Sequence, residues 1–203
     1  PQIIIHLAAQ ALVSDSYKNP YKTVETNVMG TLNVIEASKK LKNLKSLLII
    51  TSDKCYLNKE IKKGYKEIDQ LGGDDPYSAS KASAENIFNA YAKSFFCNQN
   101  QYGYATARAG NVIGGGDWSK DRLIPDCIKS IIKKNKLMIR NPNSTRPWQH
   151  VLEPISGYLL LAKLLYERKK QYSGNWNFGP SARETMEVKK VTKLLFNYLG
   201  IDK

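Results

Sequence analysis

The stretch Tyr77-Ser78-Ala79-Ser80-Lys81 places a phenol and an ammonium four residues apart. In a helix, this spacing puts both side chains on one face, one turn from each other. A neighbouring ammonium favours the deprotonated form of a phenol, so a tyrosine in this setting can act as an acid or a base near neutral pH. An ordinary pair on a helix surface has the same spacing, so both interpretations stay open at this point.

A second polar stretch, Thr51-Ser52-Asp53-Lys54, directly follows the apolar run Leu47-Leu48-Ile49-Ile50. A serine hydroxyl at the end of a strand can share a substrate hydroxyl with the tyrosine. The adjacent carboxylate and ammonium, Asp53 and Lys54, can serve as an acid–base pair or form a simple ion pair in a turn.

Short apolar runs alternate with helical patterns along the chain, which predicts an α/β fold with a parallel sheet. The predicted strands cover residues 3–7, 47–50, 104–109, 137–140 and 175–178. The predicted helices cover residues 20–41, 76–95, 124–134, 154–167 and 187–199. Residues 57–75 are polar and glycine-containing, and we expect a loop there.

Ligands of parallel sheets bind at the carboxyl ends of the strands. The first strand ends in Ala8 and Ala9, the second in Ser52, and the third in Gly110-Asn111. Tyr77 opens the helix that follows the second strand, because Pro76 favours a first helical turn. The polar residues are therefore expected to meet at one edge of the sheet.

The composition of the 203-residue chain excludes several classes of function. No apolar run reaches the ~20 residues of a membrane span. Three separated cysteines and two histidines give neither a disulfide framework nor a metal site, and they fit a reducing cytoplasm. The net charge of +13 comes from scattered basic residues without a nucleic-acid motif. We therefore expect a solvated basic surface that suits an anionic substrate such as a sugar nucleotide, and neither nucleic acid nor membrane as a partner.

Six segments of the sequence resemble the extended short-chain dehydrogenase/reductases (the NAD-dependent epimerase/dehydratase family), and within them the CDP-glucose 4,6-dehydratases. They are His6-Leu7-Ala8-Ala9-Gln10, Thr26-Asn27-Val28-Met29-Gly30-Thr31, Thr51-Ser52-Asp53-Lys54-Cys55-Tyr56, Asp75-Pro76-Tyr77-Ser78-Ala79-Ser80-Lys81, Arg108-Ala109-Gly110-Asn111-Val112-Ile113-Gly114-Gly115-Gly116-Asp117-Trp118 and Arg146-Pro147-Trp148-Gln149-His150-Val151-Leu152-Glu153-Pro154. The Tyr-x-x-x-Lys piece is typical of the whole superfamily, whereas the Ser-Asp-Lys-Cys-Tyr and Arg-Pro-Trp-Gln-His pieces are far more specific.

The resemblance implies a Rossmann-like doubly wound parallel sheet, N-terminally truncated, with part of a smaller C-terminal substrate-binding domain. Residues 1–115 would be the last two-thirds of the NAD-binding domain, and residues 116–203 mostly substrate-binding, with segments of the two interleaved. The glycine-rich turn Gly-x-x-Gly-x-x-Gly of the family is absent from this sequence, and in the family it precedes the first strand seen here. We therefore expect a fragment that by itself binds NAD poorly or not at all and is inactive as a hydro-lyase.

The resemblance also implies a reaction: dehydration of CDP-glucose to its 4-keto-6-deoxy derivative, with NAD regenerated in each turnover. Tyr77 would take the proton from O4 of the sugar, assisted by Ser52 and Lys81. Asp53 would protonate the departing O6 hydroxyl. Lys54, where related dTDP-glucose dehydratases have a glutamate, would remove the C5 proton or stabilise the enolate; in the latter case a water would act as the base.

The resemblance also implies residues that bind the cofactor and the substrate, and three of them belong to the catalytic set as well. The expected cofactor-binding residues are Leu7, Ala8, Ala9, Asn27, Ser52, Tyr77 and Lys81. The expected substrate-binding residues are Asn111, Arg122, Arg146 and Asn177. No metal is expected.

The resemblance further implies a cytoplasmic homodimer that pairs helices 22–41 and 77–95 as a four-helix bundle, and a role in cell-surface polysaccharide synthesis such as O-antigen. Two alternatives stay open. One is another sugar-nucleotide oxidoreductase such as a 4-epimerase, which needs no acid–base pair for elimination. The other is a basic binding module without catalysis.

Overall fold

A computed structural model describes residues 1–61, 63–97, 102–181 and 184–201 of the chain. The chain divides into two compact units. The first unit comprises Pro1–Ala109 and Ile155–Phe178, and the second comprises Gly110–Pro154 and Gly179–Lys203. The predicted domain boundary after residue 115 stays a prediction.

The described elements follow one another in a largely alternating order. The strands are β1 (Ile3–His6), β2 (Ser46–Ile50), β3 (Gly103–Ala109), β4 (Asn111–Ile113), β5 (Thr145–Arg146), β6 (Trp148–His150), β7 (Gly174–Phe178) and β8 (Met186–Glu187). The helices are α1 (Val13–Lys18), α2 (Pro20–Val24), α3 (Gly30–Lys39), α4 (Pro76–Tyr91), α5 (Leu123–Ile132), α6 (Leu152–Arg168) and α7 (Val188–Tyr198). Two π-helical turns cover Glu25–Met29 and Ala92–Phe96, and two 3-10 turns cover Asp53–Cys55 and Lys169–Tyr172.

A parallel sheet with strand order β1-β2-β3-β7 forms the centre of the first unit. Successive side chains of a strand point to opposite faces, and β2 shows this clearly. Leu48 packs with Leu165 of α6 on one face, whereas Leu47 and Ile49 pack with Phe88 of α4 on the other. Helices thus cover both faces, which confirms the predicted α/β fold with a buried parallel sheet.

The second unit contains two small pairs of strands and two packed helices. β4 pairs with β6 in parallel, and β5 pairs with β8 antiparallel. α5 and α7 pack together, and Cys127 of α5 is fully buried. Gly114 lies so close to Val151 that an added Cβ would come within 2.8 Å of its Cγ1 atom, so a part of the glycine-rich loop serves close packing.

The structure departs from the predicted elements in two places. Residues 137–140 form no strand, because no strand in the described part of the chain pairs with them; Leu137 and Ile139 are half-buried, and Met138 is 90% exposed. The helix predicted over residues 20–41 is interrupted by the π-helical turn Glu25–Met29. Residues 57–75 form the expected loop, apart from an isolated bridge between Tyr56 and Leu71, with Lys62 outside the described residues.

None of the helices in the described ranges is long and apolar enough to cross a lipid bilayer. Cys55, Cys97 and Cys127 form no disulfide with one another; Cys97 is exposed, whereas Cys55 and Cys127 are buried.

The contact between β3 and α6 leads to a first prediction. A Cβ atom at Gly103 would lie 2.5 Å from the backbone oxygen of Leu165, too close for either backbone to accommodate it. Gly103→Ala should therefore lower the free energy of unfolding by roughly 1–3 kcal/mol, measured by urea denaturation. Gly64→Ala is the matched control, because nothing lies within 4 Å of a Cβ atom there. Equal stability of the two variants would contradict the close approach of α6 to the sheet.

Candidate active site

The start of α4 places Tyr77 and Lys81 below the surface of the first unit. Asp75 caps the helix, and its carboxylate accepts hydrogen bonds from the backbone N–H (2.9 Å) and the hydroxyl (2.6 Å) of Ser78. Tyr77 is 8% exposed and Lys81 is 6% exposed. The Lys81 ammonium lies 6.0 Å from the centroid of the Tyr77 ring. The burial of both side chains rules out the ordinary surface pair that the spacing alone allowed.

Burial also changes the acidity of Lys81. It lowers the pKa of Lys81 to about 8, and the negative charge of Glu85 only partly opposes this effect. Within the described residues, no hydrogen bond reaches the Lys81 ammonium. This donor group is therefore available to a ligand, and it changes charge near neutral pH.

The end of β1 is fixed to the same helix through Asn27. The Asn27 amide accepts a hydrogen bond from the backbone N–H of Gln10 (2.8 Å) and donates one to its carbonyl oxygen (3.0 Å). It also donates to the hydroxyl of Ser80 (2.9 Å), which in turn donates to the carbonyl oxygen of Tyr77 (2.7 Å). Asn27 thus connects the end of β1 to the first turns of α4.

The segment that Asn27 holds contains the residues predicted to line the cofactor. Leu7 and Ala8 are exposed and Ala9 is half-buried, so the backbone after β1 is accessible. His6 at the end of β1 is half-buried, and its pKa is lowered by burial and by the charge of Lys81.

The predicted acid–base residues lie directly after β2, in the 3-10 turn Asp53–Cys55. We refer to this turn together with the preceding Ser52 as the 52–55 turn. The Ser52 hydroxyl accepts a hydrogen bond from the Lys54 N–H (3.2 Å) and donates one to an Asp53 carboxylate oxygen (3.1 Å). Ser52 is buried, Asp53 half-buried and Lys54 exposed. The turn packs against α4, and Cys55 and Ala82 belong to one buried cluster. The structure therefore brings the turn together with the helix of Tyr77.

A buried ion pair lies one helical turn beyond Lys81. Glu85 is 0% exposed and Arg108 of β3 is 2% exposed. The guanidinium donates from Nε to Oε1 (3.0 Å) and from Nη2 to Oε2 (2.8 Å) of Glu85. Thr51, directly after β2, donates to Oε1, and Thr106, within β3, donates to Oε2. Every oxygen of this carboxylate is therefore satisfied, as burial of a charge requires.

The pair shifts the acidity of its neighbours. Burial by itself would lower the pKa of Arg108, but the hydrogen bonds and charge of Glu85 raise it above its usual value. Burial, with a contribution from Glu85, raises the pKa of the Cys55 thiol to about 12. The thiol beside the site is thus kept neutral. The sequence interpretation missed Glu85 and Arg108, although Glu85 follows Lys81 at helical spacing.

Asn177 at the end of β7 has structural partners. Its side-chain oxygen accepts a hydrogen bond from the hydroxyl of Tyr56 (2.7 Å), and its amide group donates to the backbone oxygen of Tyr65 (3.0 Å). Its backbone N–H donates to the carboxylate of Glu67 (2.9 Å). Asn177 thus holds the loop that follows the 52–55 turn, and its predicted nucleotide contact stays a prediction.

The other predicted substrate-binding residues belong to the second unit. Asn111 begins β4 opposite Trp148. Arg122 is partly exposed and pairs with the carboxylate of Asp117 at 2.7 Å. Arg146 of β5 lies opposite Met186 of β8. Their roles toward a substrate stay predictions. No group of three or more possible metal ligands occurs in the described ranges.

Comparison with known proteins assigns the chain to a family. The family profile of GDP-mannose 4,6-dehydratase matches residues 1–202. The chain belongs to this family. It is 48% identical to a CDP-glucose 4,6-dehydratase from Salmonella typhimurium, over 100% of this chain and 57% of that protein. This identity confirms the resemblance inferred from the sequence motifs.

Solved structures of a dehydratase and an epimerase have the same fold as this chain. A dTDP-glucose 4,6-dehydratase from Bacillus anthracis in complex with NAD matches with a TM-score of 0.77 and 26% identity, over 100% of this chain and 58% of that one. A UDP-glucuronic acid 4-epimerase from Bacillus cereus matches with a TM-score of 0.84 and 25% identity, over 99% of this chain and 60% of that one. The chain thus spans about three-fifths of the length of the relatives it matches.

The buried ammonium of Lys81 leads to a second prediction. Because its pKa falls from 10.5 to about 8 on folding, the unfolded chain holds the proton more tightly between these pH values. Stability of the wild type therefore rises with pH through this window. Lys81→Met should raise the free energy of unfolding at pH 7 by on the order of 2–3 kcal/mol, and the gain should shrink above pH 8. Urea denaturation across this pH range measures both effects.

Lys42→Met is the control for the second prediction, because Lys42 is exposed. Its stability should stay within about 0.5 kcal/mol of the wild type at each pH. A gain for Lys81→Met that does not change with pH would contradict the assigned protonation behaviour.

Proposed function

We propose that the full-length protein is a hydro-lyase that converts CDP-D-glucose to CDP-4-keto-6-deoxy-D-glucose with NAD as cofactor. The observation that carries the proposal is the 48% identity to a CDP-glucose 4,6-dehydratase over the whole chain. A dTDP-D-glucose 4,6-dehydratase from Dictyostelium discoideum and a UDP-glucose 4-epimerase from Mycoplasma genitalium reach only 29% and 28%. This difference supports both the cytidine nucleotide and dehydration.

The residues of the first unit fit a nicotinamide cofactor. The nearly buried Lys81 ammonium has hydrogen-bonding capacity to spare, and the hydroxyls of a ribose are suitable acceptors. The accessible backbone of residues 7–9 consists of small or apolar residues that allow close approach of a ligand. We propose that Asn27 contributes by holding this backbone through Gln10. NAD, when bound, supplies the reversible acceptance of hydride that oxidation at C4 and reduction at C6 require.

The protein's own groups would move the protons of the oxidation step. Tyr77 takes the proton of the O4 hydroxyl as C4 is oxidised, and the Ser52 hydroxyl orients O4 by a hydrogen bond. Lys81, when protonated, stabilises the negative charge that develops on the Tyr77 oxygen. The low pKa of Lys81, about 8, implies that this stabilisation is lost as the pH rises above that value.

The 52–55 turn would carry out the elimination step. The ketone at C4 acidifies the C5 hydrogen. A water molecule in the site takes this proton while the C6–O bond breaks and a C5–C6 double bond forms, and a proton returns to C5 when hydride adds to C6. Asp53 donates a proton to the departing O6, which leaves as water. Lys54 lies on the same turn, and we propose that it stabilises the negative charge that develops when C5 loses its proton. Its exposed ammonium favours this role over that of the base.

In the second unit, Asn111, Arg122 and Arg146 are the proposed contacts of the sugar nucleotide. A guanidinium offers a fork of donors that suits phosphate oxygens. Arg122 is already paired with Asp117, so phosphate binding there would share or replace this ion pair.

We further propose a homodimer in the cytoplasm, whose product is used in cell-surface polysaccharide synthesis such as O-antigen. Exposed apolar side chains next to α3 and α4 support the dimer: Val24, Met29 and Phe95. Free cysteines support a reducing compartment. The polysaccharide role has only the family resemblance in its favour. Sedimentation equilibrium of the full-length protein tests the dimer, and cell fractionation tests the compartment.

The proposed reaction predicts a specific product. Full-length protein incubated with NAD and CDP-D-glucose should form a 4-keto-6-deoxy sugar nucleotide, detected by the alkaline absorbance of the ketone. UDP-glucose and dTDP-glucose are the controls for the nucleobase, and both should react more slowly. A 4-epimer without any ketone would favour the epimerase alternative. Salt-sensitive DNA binding without sugar-nucleotide binding would instead favour the basic binding module.

The assigned roles predict that two variants fail at different steps. Tyr77→Phe should abolish oxidation at C4, because no other group takes the O4 proton; a loss of at least about 100-fold is expected. Asp53→Asn should keep hydride exchange at C4 and slow the loss of water, measured by deuterium transfer from C4 and by product formation. Tyr91→Phe, at the other end of α4, is the control and should keep both rates. Equal loss of both steps in Asp53→Asn would refute its role as the acid.

A further inference from the structure

Glu85 holds both ends of the 52–55 turn, although it lies on α4. Before the turn, the Thr51 hydroxyl donates a hydrogen bond to Glu85 Oε1. After the turn, Arg108 binds both oxygens of Glu85, at 3.0 and 2.8 Å, and also donates from Nη1 to the Tyr56 hydroxyl at 2.7 Å. One buried carboxylate therefore anchors the residues on either side of Asp53 and Lys54.

Of the two residues that flank the turn, Thr51 and Tyr56, Tyr56 has more contacts that fix its side chain. Its hydroxyl accepts from Arg108 and donates to the side-chain oxygen of Asn177, both at 2.7 Å. Its ring stacks on Tyr65, with centroids 5.1 Å apart and an interplanar angle of 10°, and the Arg108 guanidinium lies 5.0 Å from the ring centroid. The hydroxyl cannot move without breaking two hydrogen bonds between partners that are themselves held.

This chain of hydrogen bonds connects the two elements that carry the proposed chemistry. Glu85 lies two helical turns after Tyr77 on the same face of α4. The path from Glu85 through Arg108 to Tyr56 ends on the residue that directly follows the 52–55 turn. Two groups that act on different carbons of one sugar need a fixed separation, since a misplacement of about 1 Å can cost about 100-fold in rate.

We propose that Tyr56 is a positioning residue for the elimination step, an inference that rests on the proposed function. Its hydroxyl, fixed by Arg108 and Asn177, holds Asp53 where it can protonate O6 while Tyr77 faces O4. Ser52 depends less on this anchor, because the backbone N–H of the preceding Thr51 is bonded to the carbonyl oxygen of Ala107 at 2.9 Å. The loss of water from C5 and C6 therefore depends on Tyr56 more strongly than oxidation at C4 does.

The variant Tyr56→Phe tests the proposal, because it removes only the hydroxyl and keeps the stacked ring. In the full-length protein with NAD and CDP-D-glucose, we expect elimination to slow about tenfold or more relative to oxidation at C4. Reduced cofactor should then accumulate in the variant and be visible by its absorbance. A hydroxyl that serves only stability would lower both rates in parallel and leave their ratio unchanged.

Tyr65→Phe is the matched control for this experiment. It removes the hydroxyl of the other ring of the stack. Among the described residues, that hydroxyl is hydrogen-bonded to the backbone N–H of Lys59 (2.7 Å) and the side-chain oxygen of Asn58 (3.4 Å) in the exposed loop. The ratio of the two rates should stay at the wild-type value. An equal change of the ratio in both variants, or no change in Tyr56→Phe, would overturn the positioning role. Failure of the wild type to form any ketone would overturn the proposed function itself.

A second variant separates positioning from nucleotide binding at Asn177. If Asn177 acts through Tyr56, Asn177→Ala should change the ratio of elimination to oxidation and leave the KM for CDP-D-glucose unchanged. This variant also tests the proposal if Tyr56→Phe folds poorly. A raised KM with an unchanged ratio would assign Asn177 to the nucleotide, and would contradict the chain of hydrogen bonds proposed here.

Discussion

A carboxylate and a guanidinium lie together out of water in the core of the first unit, and the other contacts near the site are arranged around them. Moving each charge out of water carries a penalty of several kcal/mol, which only close geometry and complete hydrogen bonding offset. Glu85 and Arg108 meet this condition through two direct hydrogen bonds and the hydroxyls of Thr51 and Thr106. The partners come from β2, β3 and α4, so the pair is stable only when these three elements are in register. The ends of the strands that frame the site are therefore fixed by electrostatics as well as by apolar packing.

The contrast between Glu85 and Lys81 shows how one helix face can serve both structure and chemistry. Both side chains are buried, and they lie one helical turn apart. Both carboxylate oxygens of Glu85 are hydrogen-bonded, and its charge is paired with that of Arg108. Lys81 lacks a hydrogen-bonding partner among the described residues, so burial lowers its pKa to about 8. A nearly buried ammonium that the described residues leave without a hydrogen bond is a good candidate for ligand binding, because a ligand can supply the missing acceptors.

The sequence predicted the parts of the structure that depend on local pattern. Apolar runs indicated the main strands, and helical spacing brought Tyr77 and Lys81 together. Contacts between residues far apart in sequence could not be predicted. An arginine at position 108 inside a buried strand requires a counterion, but its partner Glu85 lies 23 positions earlier on another element. The partners of Asn177 are more than 100 positions away. Residues 137–140 have the apolar composition of a strand, yet no described strand pairs with them, and composition alone cannot reveal whether a partner strand lies alongside.

The distribution of the three thiols gives the protein a convenient chemical property. Thiolate is the form that reacts with alkylating reagents, and burial raises the pKa of Cys55 to about 12 and also raises that of Cys127. Cys97 is exposed and directly follows the π-helical turn that extends α4. Of these three thiols, a maleimide dye or a spin label would therefore attach at Cys97. Such a probe would report on the far end of the helix whose first turn carries Tyr77, without any engineered cysteine.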